Sequence, residues 1–233
     1  MDVVLLLFLI FSIGAEAQIS AESRDEHSVN DNFENELEQG YKKLKGVPNA
    51  DYTKQLLEQL HKMEPEIKQE LTLSPERKAE LREQMKNYVE IKNDYGQLMG
   101  QTIEEINLDN KIGRALFQGD ILLTKEQADE IIEDVKENKA NRRKRQAYRD
   151  SRYPNTLWSN GVYYSFHWNA TQGARRVFRK AAQIWQSETC INFFEGSRAS
   201  DGIVVFQGPG CYSNIGRIGG TQVISLGRRC EHV

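Results

Sequence analysis

No histidine in this chain of 233 residues is followed by glutamate, and none of His27, His61, His167 and His232 stands four positions from another. A single helix therefore cannot offer two imidazoles on one face to a zinc ion. Nucleophile elbows, phosphate loops and dinucleotide fingerprints are also missing, which argues against the hydrolases and nucleotide enzymes built on them. Neither sign of charge dominates: 31 basic residues face 34 acidic ones, net -3, so the chain as a whole is no nucleic-acid binder. Long apolar runs are scarce too. Only Val3 to Phe11 qualifies, and it is too short to span a bilayer, so no membrane partner is expected. Cysteine is sparse and odd in number, at three.

What is present begins with that apolar run, which is followed by Ala15-Glu16-Ala17, a small-x-small cleavage pattern. Residues 1–17 read as a signal peptide and the chain as secreted and extracellular. Secretion makes disulfides expected. Cys211 and Cys230 flank a glycine-rich stretch and could close a loop of about 19 residues, worth about 3 kcal/mol on the chain-entropy model. Cys190 is then left over, to pair with another molecule or with sequence not present here.

The remainder divides near residue 145. Residues 18–145 carry a net charge of -6 and residues 146–233 a net charge of +5, and all three Trp, all three Cys and ten of the seventeen Gly lie in the second piece. The first piece is patterned for helices and poor in strand formers. Leu56, Leu57, Leu60 and Met63 share a helical face that Pro65 is expected to end or kink. Ser74-Pro75 reads as N-cap and first helical position, before an apolar face of Leu81, Met85 and Val89. Thr124 and Gln127 form a capping box ahead of Ala128, Ile131, Ile132 and Val135. Between these helices, Leu116-Phe117-Gln118-Gly119-Asp120-Ile121 sets one Gly and one Asp among apolar neighbours, which by itself makes a turn. Arg142-Arg143-Lys144-Arg145 could be a nuclear signal, a phosphate patch or a processing site. In a secreted chain, at a change of composition, cleavage before Gln146 by a basic-site processing protease is the reading that fits, making 18–145 a propeptide.

After that boundary the texture is mixed α/β. Residues 161–166 form a strand of aromatic and β-branched residues, and 174–187 an amphipathic helix with Arg175, Arg176, Arg179 and Lys180 on a solvated outer face. Short strands are predicted at 191–194, 203–206 and 222–225. Asn169-Ala170-Thr171 is an acceptor triplet for N-glycosylation.

The order of features carries a resemblance: Phe117-x-Gly119-Asp120; the basic tetrad; Tyr153-Pro154 and Trp158 before Gly161-Val162-x-Tyr164-x-Phe166; Trp185 with Thr189-Cys190-Ile191-x-Phe193; then Gly210-Cys211-x-Ser213-x-x-Gly216-Arg217-x-Gly219-Gly220-x-Gln222-x-x-Ser225-Leu226 and Cys230. From Leu116 onward the chain resembles the astacin family of secreted zinc metalloendopeptidases, which are metzincins. The resemblance implies an α+β protein: a helical propeptide over 18–145, then over 146–233 the N-terminal lobe of a zincin-like peptidase domain, a twisted mixed sheet with helices. The family's zinc helix, catalytic glutamate and C-terminal lobe would follow Cys230 and are not in this sequence, so no catalytic residue is expected in the chain. The chain alone is expected to be inactive and to hold no zinc, whereas the complete protein would hold one ion and act on protein or peptide substrates. By the same resemblance Asp120 is an inhibitory propeptide ligand to that zinc, Phe117 and Gly119 belong to its switch motif, and Cys211-Tyr212-Ser213-Asn214 is the edge strand on which substrate adds antiparallel. Cys211 would pair with Cys230, and Cys190 with a cysteine outside this chain. The competing expectation is a non-catalytic secreted truncated isoform that acts as a binding or decoy module.

Overall fold

The structure, a computed structural model, describes residues 26–86, 101–137, 150–196 and 199–231. The expected signal peptide, the basic tetrad Arg142 to Arg145 with Gln146, and Val89 lie outside the described residues.

The helical part opens with α1 (Glu26–Leu44) and α2 (Ala50–Leu71). Leu37 and Leu44 on α1 and Leu56 on α2 are almost completely buried, as the spacing of their apolar neighbours requires. Pro65 does not end α2 but sits within it. A proline interrupts the backbone bonding of only one turn, and the long helix continues on either side. In α3 (Pro75–Met85), Ser74 caps as expected, its side chain accepting from the Arg77 N–H. The apolar face expected there is not buried: Leu81 and Met85 are 46% and 50% exposed, and α3 contributes no buried residue.

Next come α4 (Ile103–Asp109), a single 3-10 turn at Gly113–Ala115, a short strand β1 (Ile121–Leu122) and α5 (Lys125–Glu137). A reciprocal capping box between Thr102 and Glu105 starts α4. Thr124 and Gln127 do the same for α5, the Thr124 N–H donating to Gln127 Oε1 at 3.0 Å and the Gln127 N–H to Thr124 Oγ1 at 3.3 Å. Sequence periodicity marks no strand in this part. β1 is two residues long and exists through a partner some ninety positions later, so no local pattern announces it.

The second part supplies β2 (Val162–Phe166), α6 (Gln172–Glu188), β3 (Phe193–Glu195), β4 (Gly202–Phe206), β5 (Cys211–Asn214) and β6 (Thr221–Leu226). With β1 they form one mixed sheet in the order β1-β5-β6-β4-β2-β3, in which only β5 and β6 run antiparallel. Val162, Tyr164, Ile203 and Val205 pack with Phe178 of α6 as its core. The basic face of α6 is only partly the solvated surface expected. Arg175 and Arg179 lie over the Phe166 ring at 5.0 and 4.8 Å, and Arg179 grips Glu195 with two bonds of 2.8 and 2.7 Å.

Candidate functional site

The residues singled out in the sequence converge where the helical part meets β5. Phe117 and Ile121 exchange backbone hydrogen bonds of 2.9 Å in both directions, closing a tight turn over Gln118, Gly119 and Asp120. Gln118 and Gly119 both have left-handed backbones, with φ of 52° and 85°. A β-carbon at Gly119 would meet no atom within 4 Å, so the backbone angle rather than want of room calls for glycine here. The Phe117 ring anchors the turn in a cluster with Leu56, Leu123, Ile131 and Ile132.

Asp120 follows directly. It is half-buried, and burial pushes its carboxyl above the usual carboxylate range, with no charge among the described residues to offset the cost. Its carbonyl accepts the Ser213 N–H at 3.1 Å. From there β1 runs parallel to β5, Ile121 opposite Ser213 and Leu122 opposite Asn214, and Asn214 Nδ2 donates to the Leu122 carbonyl at 2.9 Å. Tyr212 points the other way, into a core it shares with Leu37, Leu44, Ile112, Leu116 and Leu122 of the helical part. Burial pushes its phenol up to about 12, against a smaller opposing pull from Ser225.

Residues that sequence reasoning missed complete the seam. Asn107 on α4 is fully buried; its Oδ1 accepts the Cys211 N–H at 2.8 Å, while Nδ2 donates to the carbonyls of Cys211 at 2.7 Å and Gly119 at 2.8 Å. The one sequence signal was an asparagine between Ile106 and Leu108 inside a helix, where its propensity is poor. Thr53 accepts the Leu123 N–H, Gln127 donates to the Ile215 carbonyl, and Arg229 bonds Asp109 at 2.8 Å.

Cys211 and Cys230 form a disulfide with Cα atoms 5.8 Å apart, and Cys190 is a free, exposed thiol. Cys190 follows α6 at the β3 end of the sheet, opposite β5 in the strand order. Asn169 is also apart from the turn: it pairs with the backbone of Gln207, donating through Nδ2 at 3.1 Å and accepting at 3.2 Å. Among the described residues no group of three or more His, Cys, Asp and Glu could hold a metal ion, and no helix is long and apolar enough to cross a membrane.

Residues 150–233 match the peptidase family described as Astacin. Zinc metalloproteinase nas-31 of Caenorhabditis elegans is 41% identical over 152 residues, covering 64% of this chain and 25% of that protein. Zinc metalloproteinase nas-29 of the same organism is 35% identical over 144 residues, covering 54% and 27%. The chain thus spans about a quarter of the length of these two curated relatives. A solved structure, High choriolytic enzyme 1 (HCE-1), a hatching enzyme zinc-protease from Oryzias latipes (Medaka fish), is 27% identical with a TM-score of 0.31, over 37% of this chain and 45% of that one. Over its matched residues, 150–233, the chain is thus similar to the astacin family of peptidases.

Proposed function

We propose that the chain is the N-terminal portion of a secreted, zinc-dependent metalloendopeptidase proenzyme, with 18–145 as propeptide, 146–233 as the first part of the peptidase domain, and Asp120 as the inhibitory ligand to the zinc of the complete protein. The observation that carries this reading is the Asp120 carboxylate itself: half-buried, without a counter-charge among the described residues, on a turn fastened to the edge strand of the astacin-like segment. A desolvated carboxylate without a cation is costly, and a metal ion removes that cost. When bound, zinc would supply Lewis acidity and an acidified water.

The chain's own residues then have definite tasks. Ser213 and Asn214 hold β1 in parallel to β5, the reverse of the antiparallel course expected of substrate, so the propeptide occupies the edge without presenting a peptide bond as substrate would. Cleavage after Arg145 separates the two pieces covalently. Cys190 is the thiol whose partner lies beyond this chain, and Asn169 is the site for a glycan.

The test is a coding frame continued past Val233. The purified product should hydrolyse protein substrates in a chelator-sensitive way once cut before Gln146, and Asp120→Ala should release activity without that cut. Absence of hydrolysis from the processed, zinc-supplied product would overturn the reading in favour of a non-catalytic binding module.

A further inference from the structure

We propose that Asn107 is a positioning residue of the latent state: its side-chain amide occupies the Cys211 main chain as a substrate peptide unit would, and simultaneously fixes the carbonyl that precedes Asp120. The proposal rests on the preceding reading of the 117–121 turn as inhibitory. Alternate residues of a strand direct their N–H and C=O to the same side, so Cys211 and Ser213 both face the side of β5 away from β6. Ser213 is satisfied by the backbone of Asp120 at 3.1 Å. Beyond that point β1 does not reach Cys211, and Asn107 takes over, returning one acceptor and one donor to the same residue as a neighbouring strand would.

The remaining Nδ2 hydrogen goes to the Gly119 carbonyl, so both hydrogens of the amide are used and an aspartate could not make this set. Gly210 is shaped to the arrangement, since a β-carbon there would collide with Asn107 Oδ1 and with Ile112. On the other side, the Thr102–Glu105 capping box closes the first turn of α4, and the Asp109–Arg229 pair ties its last residue to the disulfide loop. Asn107 thus links the edge strand to the Asp120 turn through one rigid side chain, and blocks one residue of the edge that the propeptide strand leaves open.

Backbone hydrogen exchange in the full chain, followed residue by residue, tests this without metal or activity. Asn107→Ala should speed exchange of the Cys211 N–H, and with it the Ser213 and Ile121 N–H groups, about 10- to 100-fold, while Val205 and Val223 in the centre of the sheet keep their protection. Gly210→Ala, which displaces the same amide from the lobe side, should give the same pattern. Faster exchange at Cys211 alone, or equal acceleration across β4 and β6, would overturn the proposal, the first by removing the link to the turn and the second by reducing Asn107 to general stability. The exchange pattern is independent of hydrolysis, so an inactive extended protein with this pattern would sink the peptidase reading, and with it the latent state, while keeping Asn107 as the link between edge strand and turn. An active one without it would do the reverse.

Discussion

The two ends of the sheet are finished in opposite ways. At β5 the edge is closed by residues from far earlier in the chain: a parallel strand, the amide of Asn107, and a shared core around Tyr212. At the β3 end, Phe194, Trp185 and Ile184 are 43%, 54% and 47% exposed, beside the free thiol of Cys190. Both ends carry apolar side chains, so residue type alone does not separate them. The difference is whether another part of the chain satisfies the backbone polar groups and covers the side chains.

The sharpest way to break the closed end is through its apolar anchor. Phe117→Ala empties a site walled by Leu56, Leu123, Ile131 and Ile132, and should lower the stability of the helical part by about 3–5 kcal/mol in chemical denaturation. It should also abolish the protection of the Ser213 N–H, because the turn that carries Asp120 loses its hold. A loss below about 1 kcal/mol would mean that the turn is held by backbone bonds alone.

What the sequence made legible follows the range of the interactions. The caps at Ser74 and at Thr124 with Gln127 are bonds across three residues, and local residue types announce them. The Phe117-x-Gly119-Asp120 segment could be singled out because a glycine and an acid interrupt an apolar run, and its turn needs the left-handed backbone that glycine favours. β1 was hidden, since two residues have no period and their partner is far away. Asn107 was hidden for the same reason: its three bonds reach residues 12 and 104 positions off. Pro65 is the opposite case: of the end or kink expected there, the end does not occur, because the helix continues on either side.

A smaller effect sharpens the comparison through pH. Burial holds the Asp120 carboxyl above its ordinary value in the folded chain. Below that ordinary value the folded and unfolded forms both carry the proton and the group costs nothing. As pH rises past it, the unfolded chain releases its proton first, stability falls, and the full cost is present above the folded-state value. Asp120→Asn never ionises, so in metal-free buffer it should raise stability at neutral pH by about 1 kcal/mol and leave it unchanged near about pH 3. A neutral-pH loss would point to an attractive contact of the carboxylate and would remove the observation on which the metal-ligand reading stands.

The smallest thermodynamic effect is expected at the open end, and there it is paired with a visible change in assembly. Trp185 is more than half exposed, so Trp185→Ser should alter stability by no more than about 0.5 kcal/mol. If apolar contact between copies brings exposed Cys190 thiols together, the wild-type chain should show a covalent dimer on a non-reducing gel. Trp185→Ser should weaken that band and Cys190→Ser should abolish it. Should Trp185→Ser instead cost as much as Phe117→Ala, the open end would be covered after all, and the contrast between the two edges would collapse into a single buried core.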